Sequence, residues 1–351
     1  MIKVCIIGCG MIAKSAHLPA YRACKDFEVR AVFDIKEEAA QATAREHGVP
    51  FVYTDCEKML KEQHPDVVSV CVPNRLHKAY TLLALRYGAH VLCEKPLAFT
   101  LKDAEELFSV AAAQGKHLMT CQTLRFLPER LAAYGMREQM GEVYHAEVSR
   151  IRRRGIPTWG EFHLKSHSGG GALIDIGVHA LDSALWLMGN PKPIRVTARM
   201  KQVHLGEIGH AQASGDLKGV TRSKGFSPDE MDVESFASGM VEFENGVTLA
   251  FKVAWSANLK EENNILLAGE HCGVDIEQKT LFRGSGEEPM EVVPNGFSEE
   301  PFYGHFCLIQ NMADVLLRGA ELFVKPEETL NVTAILEAAY RSAELKKEIR
   351  L

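Results

Sequence analysis

The chain has 351 residues, which is too long for one ordinary hydrophobic core and suits two domains. Its composition, with 46% hydrophobic and 25% charged residues, is that of a soluble globular protein. The 40 basic and 46 acidic residues leave a net charge of −6 without a long block of one sign, so neither nucleic acid nor a membrane is expected as a partner. A small-molecule ligand is favoured.

Nine cysteines are scattered along the chain without a Cys-x-x-Cys pair, and several lie in apolar runs typical of core strands. Reduced, buried thiols of this kind are typical of the cytoplasm. The first residues already form a predicted strand, so we expect no signal peptide, and no apolar run approaches a membrane-spanning length. The pattern therefore predicts a cytoplasmic protein.

From the N-terminus to about residue 121, short apolar runs alternate with helical patterns, and glycines fall where the helices are expected to end. This alternation is typical of a parallel sheet with crossover helices. It predicts an α/β, doubly wound domain over residues 1–121. The predicted strands are 2–7, 28–33, 67–72, 90–93 and 117–121, with helices at 36–47 and 76–87 and terminating glycines at 48, 88 and 115.

After residue 121 alternating strands dominate, which predicts an α+β domain over residues 122–351 with a large, mostly antiparallel open sheet. One face of such a sheet packs on helices and the other needs water or another subunit, so we expect a homodimer or homotetramer built through this sheet. Residues 203–231 lack periodicity and are predicted to form a long loop. The predicted strands are 143–151, 194–200, 236–243, 248–254 and 264–268, with helices at 306–317 and 332–345.

The first strand runs directly into Gly8-Cys9-Gly10-Met11-Ile12-Ala13 and then into a helical stretch. A pyrophosphate needs unblocked main-chain N–H groups and the positive end of a helix dipole. Gly8 would make the tight turn, Gly10 would let the phosphates approach, and Met11 and Ile12 would open the helix. Ala13 takes the third motif position, where close helix-to-strand packing is required. This layout predicts a Rossmann-type dinucleotide site.

The second strand ends in Asp34. A carboxylate at this position accepts hydrogen bonds from both hydroxyls of the adenosine ribose and repels the 2′-phosphate of NADP. We therefore expect NAD as the cofactor, in preference to NADP.

Two further motifs follow predicted parallel strands, whose carboxyl ends are where open α/β sheets place ligands. Pro73, Asn74 and His77 follow the strand at 67–72 and are expected to reach the cofactor, although capping of the next helix is an equally good interpretation. Glu94 and Lys95 follow the strand at 90–93 and are also expected to reach the cofactor. Lys95 would donate to a substrate oxygen and stabilise a developing alkoxide; a surface Glu-Lys pair beside a turn-forming proline is the alternative.

Residues 169–187 contain Gly169-Gly170-Gly171 followed by an apolar helical pattern with polar interruptions. If the helix begins at about Ile176, Asp175, His179 and Asp182 lie at positions i, i+4 and i+7 and share one face. A histidine oriented by a carboxylate is a workable acid–base pair, because histidine titrates near neutral pH. The alternatives are that Asp175 is only a helix N-cap and His179 only a buried imidazole.

Three residues are candidates for substrate binding: Arg125, Arg152 and Trp159. Arg152 belongs to a basic run that suggests an anion site, but its alternation along a strand favours a solvated or intersubunit face. Trp159 would stack on a sugar face or fill a core.

No metal site is expected. His163 and His167 have helical spacing, but a glycine run follows them and no third ligand is evident.

Taken together, the motifs at residues 8–13, 73–77, 94–96 and 175–182 resemble the glucose-fructose oxidoreductase, inositol dehydrogenase and rhizopine catabolism family, in the right order over nearly the whole chain. The resemblance implies that Lys95, Asp175 and His179 line the active site. It implies sugars, cyclitols or their derivatives as substrates, oxidised or reduced at a secondary alcohol with NAD or NADP. Residues 153–160 and 169–171 are most similar to members acting at C3 of glucosides.

The mechanism that we expect is hydride transfer between the carbinol carbon of a sugar and the nicotinamide, with His179 moving the hydroxyl proton. Lys95 would stabilise charge on the reacting oxygen and Asp175 would orient the pair, although Lys95 and His179 are interchangeable as proton acceptor. The alternatives are an NAD-dependent glycosidase using transient oxidation at C3, an inositol 2-dehydrogenase, and a non-catalytic NAD-sensing binding protein.

Overall fold

The computed structural model describes residues 1–203, 228–283, 290–291 and 302–351. The strands are β1 (Ile2–Ile7), β2 (Phe27–Phe33), β3 (Phe51–Tyr53), β4 (Val67–Val70), β5 (His90–Cys93), β6 (Leu118–Thr120), β7 (Val143–Ile151), β8 (Pro193–Lys201), β9 (Phe236–Phe243), β10 (Thr248–Ala254), β11 (Glu262–Gly269), β12 (Cys272–Asp275), β13 (Thr280–Arg283), β14 (Met290–Glu291) and β15 (Ile349–Arg350). The α-helices are α1 (Leu18–Ala23), α2 (Glu37–His47), α3 (Cys56–Gln63), α4 (His77–Arg86), α5 (Leu101–Ala113), α6 (Pro128–Gly135), α7 (Arg137–Met140), α8 (Lys165–Ser168), α9 (Val178–Leu187), α10 (Tyr303–Arg318) and α11 (Pro326–Leu345).

The chain divides into two compact units, one formed by Met1–Phe126 with Ser298–Leu330 and the other by Leu127–Phe297 with Asn331–Leu351. The first unit therefore includes α10, which lies within residues 122–351 of the predicted second domain. Its Leu308, Ile309 and Met312 are fully buried in the same core cluster as residues of β1.

The first unit contains a parallel sheet with the strand order β3-β2-β1-β4-β5-β6. Both faces of β1 are buried: Val4 and Ile6 belong to one core cluster, and Cys5 and Ile7 to another. Burial on both faces explains why this strand reads as a continuous apolar run. The prediction of a doubly wound α/β sheet is confirmed, and its reversal of strand order lies between β1 and β4, where such sheets bind ligands.

The strand β3 was not predicted from the sequence. It has three residues, of which Phe51 and Val52 are exposed at the sheet edge, so it carries neither the length nor the alternation of a typical strand. The glycines predicted to end helices do so, and Gly48 adopts a left-handed conformation immediately after α2.

The second unit contains a sheet whose described strands follow the order β14-β13-β12-β11-β7-β10-β9-β8-β15. Its neighbouring strands are antiparallel except for the pair β7 and β10, which confirms the prediction of a large, mostly antiparallel sheet.

One face of this second sheet is buried and the other is open within the described chain. Along β10, Leu249, Phe251 and Val253 are buried, whereas the residues between them are half-buried or exposed. The open face continues through Met240, which pairs with Ala250 and is 45% exposed. A period of two is what a sheet packed on one side requires.

The loop predicted at residues 203–231 falls largely on residues 204–227, outside the described part of the chain. Among the described helices, none combines the length and apolar character needed to cross a membrane.

Candidate active site

The turn after β1 has the main-chain geometry of a phosphate-binding loop. Gly8 has φ +96°, and a Cβ added there would lie 2.5 Å from the carbonyl oxygen of Cys71, so no other residue fits. Gly10 is exposed, and a Cβ there would meet no atom within 4 Å. Met11 and Ile12 are half-buried and open the helical segment that continues through a π-helical turn, Ala13–His17. The open side of the turn at Gly10 fits a dinucleotide pyrophosphate.

Asp34 lies directly after β2 and is joined to this turn. One carboxylate oxygen accepts from the N–H of Cys9 at 2.9 Å and the other from the N–H of Lys36 at 2.9 Å. These two bonds hold the carboxylate beside the glycine turn, and because a carboxylate oxygen has two lone pairs, each can accept another hydrogen bond.

The motif after β4 forms a 3₁₀ turn at Asn74–Leu76. Pro73 is exposed and Asn74 half-buried, whereas His77 is 1% exposed. The His77 ring lies between two main-chain oxygens, with Nδ1 2.6 Å from Pro96 O and Nε2 2.8 Å from Val72 O. The ring thus bridges the loops after β4 and β5, so we assign it to loop support and not to direct cofactor contact.

Glu94 and Lys95 follow β5 but differ in their environments. Lys95 is half-buried, whereas Glu94 is 8% exposed, with Oε1 2.9 Å from His17 Nε2 and 3.1 Å from His305 Nε2. Burial alone would raise the pKa of Glu94, but the hydrogen bonds from His17 and His305 outweigh it and hold this pKa well below its ordinary value. The two histidines were missed from the sequence because they lie 77 and 211 residues from Glu94.

Asp175 and His179 lie on a helical segment in the second unit that begins before the predicted residue 176. It opens with a π-helical turn, Leu173–Gly177, and continues as α9, so Asp175 is inside the helix and is not its N-cap. Asp175 and His179 are half-buried, whereas the other residues from 171 to 187 are buried. Single π-helical turns within α-helices are frequent at functional sites.

Asp175 is held in place by a buried tryptophan. The indole Nε1–H of Trp255, which follows β10 and is completely buried, donates to Asp175 Oδ2 at 3.0 Å. A carboxylate that accepts from a rigid donor keeps a fixed direction, which is what a group that orients a neighbouring proton-transfer residue needs.

The start of this helical segment is capped by Glu234, which comes from a distant part of the second unit. Its carboxylate accepts from the N–H groups of Gly171 (2.8 Å) and Leu173 (3.0 Å) and from the hydroxyl of Tyr340 (2.9 Å). Burial raises the pKa of Glu234, against the lowering effect of these hydrogen bonds. The capping residue was missed because it lies about 60 residues beyond the helix that it caps.

The glycine run before the helix is explained by this cap. A Cβ at Gly170 would lie 2.1 Å from the Tyr340 hydroxyl oxygen, and one at Gly171 would lie 1.8 Å from the carbonyl oxygen of Glu234. The run of glycines was therefore the only signal in the sequence that something packs closely against this helix start.

The three candidates for substrate binding differ in position. Arg125 is fully buried in the first unit, where it forms an ion pair with Glu328 at 2.7 Å, so a structural role accounts for its charge. Arg152 and Trp159 are half-buried in the second unit, and Arg152 Nη1 lies 3.4 Å from Gly155 O. Arg152 and Trp159 remain candidates; Arg125 is not carried into our proposal.

Metal ligation was not expected from the sequence. Among the described residues, one group of side chains, His17, Glu94 and His305, brings possible ligand atoms within 4.8 Å of one another.

Comparison with known proteins identifies the class. Residues 2–122 match the model of an oxidoreductase family with an NAD-binding Rossmann fold, and residues 135–274 match the GFO/IDH/MocA C-terminal domain. The protein is therefore an oxidoreductase with an NAD-binding Rossmann unit, and the glycine turn and parallel sheet described above are those of that unit. The chain belongs to the GFO/IDH/MocA family, as the resemblance of its motifs predicted.

Two of the proteins similar in sequence are named dehydrogenases. The chain is 32% identical to D-glucoside 3-dehydrogenase of Escherichia coli, covering 100% of this chain and 97% of that protein. It is 30% identical to scyllo-inositol 2-dehydrogenase (NADP(+)) IolU of Bacillus subtilis, over 56% of this chain and 61% of that protein. Among solved structures, an NAD-binding protein from Listeria innocua is 26% identical with a TM-score of 0.77, covering 99% and 96% of the two chains.

We expect Glu234→Ala to destabilise the second unit by about 3 kcal/mol, because two buried N–H groups and a buried phenol lose their acceptor. Glu234→Gln keeps one acceptor oxygen and should cost about half as much. Urea denaturation followed by circular dichroism measures both changes. Equal stability of the Ala variant and the unmodified protein would contradict the capping role.

Proposed function

We propose that this protein is an NAD-dependent dehydrogenase that oxidises a secondary alcohol of a sugar, glycoside or cyclitol, with C3 of a glucoside as the favoured position. The observation that carries the proposal is the pair Asp175 and His179, half-exposed on an otherwise buried helix that Glu234 caps. The full-length similarity to a D-glucoside 3-dehydrogenase supports the glucoside class and position.

The turn at Gly8 and Gly10, the start of the helix at Met11 and the carboxylate of Asp34 would hold the cofactor. When bound, NAD supplies the hydride acceptor, at C4 of its nicotinamide. In our proposal the reacting alcohol loses its hydroxyl proton to His179.

Lys95 and Asp175 have supporting roles in this chemistry. The ammonium of Lys95 hydrogen-bonds the reacting oxygen and stabilises the negative charge that develops as the proton leaves. Asp175, held by Trp255, orients His179 and stabilises its protonated form. Arg152 and Trp159 contact the sugar in this proposal, with the indole face of Trp159 stacking on the ring.

We propose NAD in preference to NADP because the carboxylate of Asp34 is held beside the glycine turn, where a 2′-phosphate would meet a like charge.

We also propose a homodimer or homotetramer built through the open face of the second sheet. Met240 and Phe282 lie on this face and are 45% and 49% exposed, with Glu147 and Lys252 exposed between them. Large apolar side chains on an open sheet face favour burial against a second copy.

A cytoplasmic location is part of the proposal. All nine cysteines are free thiols, and eight of them are buried. Burial raises the pKa of the Cys5 and Cys56 thiols to about 12, which keeps them protonated and unreactive.

The proposed function predicts a reduced cofactor and an oxidised sugar. Incubation with NAD and a panel of glucose, glucosides, glucose 6-phosphate and inositols should give NADH absorbance and a ketosugar two mass units lighter, with glucosides turned over fastest. Lys95→Ala should lower kcat by about 1,000-fold with NAD affinity nearly unchanged, because it removes charge stabilisation.

The matched control is Lys102→Ala, which removes an exposed lysine of α5 and should leave kcat unchanged. Release of an aglycone without net formation of NADH would contradict the dehydrogenase proposal and indicate the NAD-dependent glycosidase. Fastest turnover of an inositol would establish the inositol dehydrogenase, and full activity of Lys95→Ala would remove Lys95 from the mechanism.

Cofactor choice is tested by Asp34→Asn. Removing the charge while keeping the shape should raise the ratio of NADP affinity to NAD affinity by about tenfold, or roughly 1.4 kcal/mol. Titration with NAD and with NADP measures this ratio of affinities. A substitution that weakens the binding of both nucleotides equally leaves the ratio unchanged. An unchanged ratio would refute the role of the Asp34 charge in selectivity.

The oligomer is tested by Met240→Glu, which places a charge on the open sheet face. Light scattering should show two or four copies of the 38.9 kDa chain before the substitution and a smaller assembly after it. Leu259→Glu introduces the same charge at a similarly exposed position between β10 and β11 and should leave the assembly intact. A monomeric unmodified protein would rule the proposal out.

A further inference from the structure

Three side chains of the first unit are buried together: His17 and His305 both lie within hydrogen-bond distance of one carboxylate oxygen of Glu94. His17 and Glu94 are 0% and 8% exposed, and His305, from α10, is 5% exposed. Both imidazoles approach the same oxygen, Oε1 of Glu94, while the N–H of Lys95 lies 3.3 Å from the other oxygen, Oε2. The two oxygens of one carboxylate thus have separate partners: Oε1 faces the core and Oε2 faces the lysine main chain.

The protons of this group follow from its partners. An ionised carboxylate only accepts, so both imidazoles donate from Nε2. His17 Nδ1 is then an acceptor for Ser69 Oγ at 3.2 Å, and Ser69 Oγ in turn accepts from the Tyr21 hydroxyl at 2.7 Å. Burial lowers the pKa of His17 despite its bond to Glu94, which agrees with a neutral ring carrying a single proton. In each hydrogen bond from Tyr21 through Ser69 and His17 to Glu94, the donor is therefore the group on the Tyr21 side.

The same three side chains have the composition of a metal site, but their surroundings favour hydrogen bonding. An imidazole that binds a metal nearly always donates its second N–H to an acceptor. His305 Nδ1 is buried and has no hydrogen-bond partner among the described residues. A metal on Nε2 would place a proton on that nitrogen, and orphaned buried donors are rarer than orphaned acceptors. Both Nε2 atoms also lie within hydrogen-bond distance of Oε1.

We infer that His17 and His305 are positioning residues for Lys95. By donating to one oxygen of Glu94 they hold its carboxylate in a single orientation, so that the second oxygen anchors the main-chain N–H of Lys95 at the end of β5. Helix α10, which joins the first unit from the far end of the chain, thereby contributes to the placement of the lysine. The inference rests on the role of Lys95 in the proposed function.

The test compares two substitutions of His305. His305→Leu removes the donor but keeps a similar volume, and His305→Gln restores an N–H near the position of Nε2. Because a misplacement of about 1 Å costs up to about 100-fold in rate, we expect His305→Leu to lower kcat about tenfold or more. The affinity for NAD should stay within about twofold, and His305→Gln should recover most of the lost kcat.

Controls separate positioning from general destabilisation. Met312→Leu alters the same helix in the core without touching a polar group, and should leave kcat unchanged. If His305→Leu does not fold, His17→Leu and Ser69→Ala probe the same carboxylate through its other imidazole and should lower kcat with NAD affinity retained.

Three outcomes would overturn the inference: full kcat in His305→Leu, no recovery in His305→Gln, or one zinc ion per chain by elemental analysis that is lost with His305. Failure of the proposed function is a separate result, because it would appear as full activity of Lys95→Ala.

Discussion

A carboxylate removed from water must be surrounded by hydrogen-bond donors, and in each unit this requirement fixes the element that carries a candidate catalytic residue. Glu94 receives two imidazole N–H groups in the first unit. Glu234 receives two main-chain N–H groups and a phenol in the second. Leaving such a carboxylate without donors costs several kcal/mol, so the surrounding structure has little freedom to shift. In the first unit, Lys95 directly follows Glu94 in the chain. In the second unit, the helical segment that Glu234 caps carries Asp175 and His179.

Close main-chain approach is the second constraint. At Gly8 and at Gly170 and Gly171, the space that a Cβ would need is filled by main-chain or phenol oxygens. In the first case this contact forms the nucleotide-binding turn, and in the second it brings the cap against the start of the π-helical turn. Glycine has no function of its own in either place. It permits a packing distance at which main-chain N–H groups become usable for binding or capping.

These constraints suit hydride-transfer chemistry. An alcohol oxidation needs a base for the hydroxyl proton and a donor for the developing charge, each held in a fixed direction before the substrate arrives. Asp175 is fixed by Trp255 and its helix by Glu234, and in our inference Lys95 is fixed through Glu94 by His17 and His305. In our proposal, the buried hydrogen bonds of each unit therefore hold that unit's candidate catalytic residues in a fixed direction.

The sequence by itself determined the features that depend on local patterns. The parallel sheet, the antiparallel sheet, the glycine turn, Asp34 and the position of Lys95 at a strand end all follow from periodicity and short motifs, because these signals arise between residues close in the chain. The short edge strand β3 was missed because three residues with two exposed side chains carry no such signal. The family was also recognisable, since its motifs occur in a set order.

Only the tertiary structure decided which polar side chains face one another. His77 and Arg125 had the residue types of ligand-binding groups, yet one bridges two loops and the other pairs with Glu328 in the core. Glu234 and His305 lie in no recognisable sequence motif. Glu234 nevertheless caps the helical segment of Asp175 and His179, and His305 lies within hydrogen-bond distance of Glu94. The physical reason is that hydrogen bonds between residues 61 to 211 positions apart depend on how elements pack, and such packing leaves no periodic pattern in the sequence.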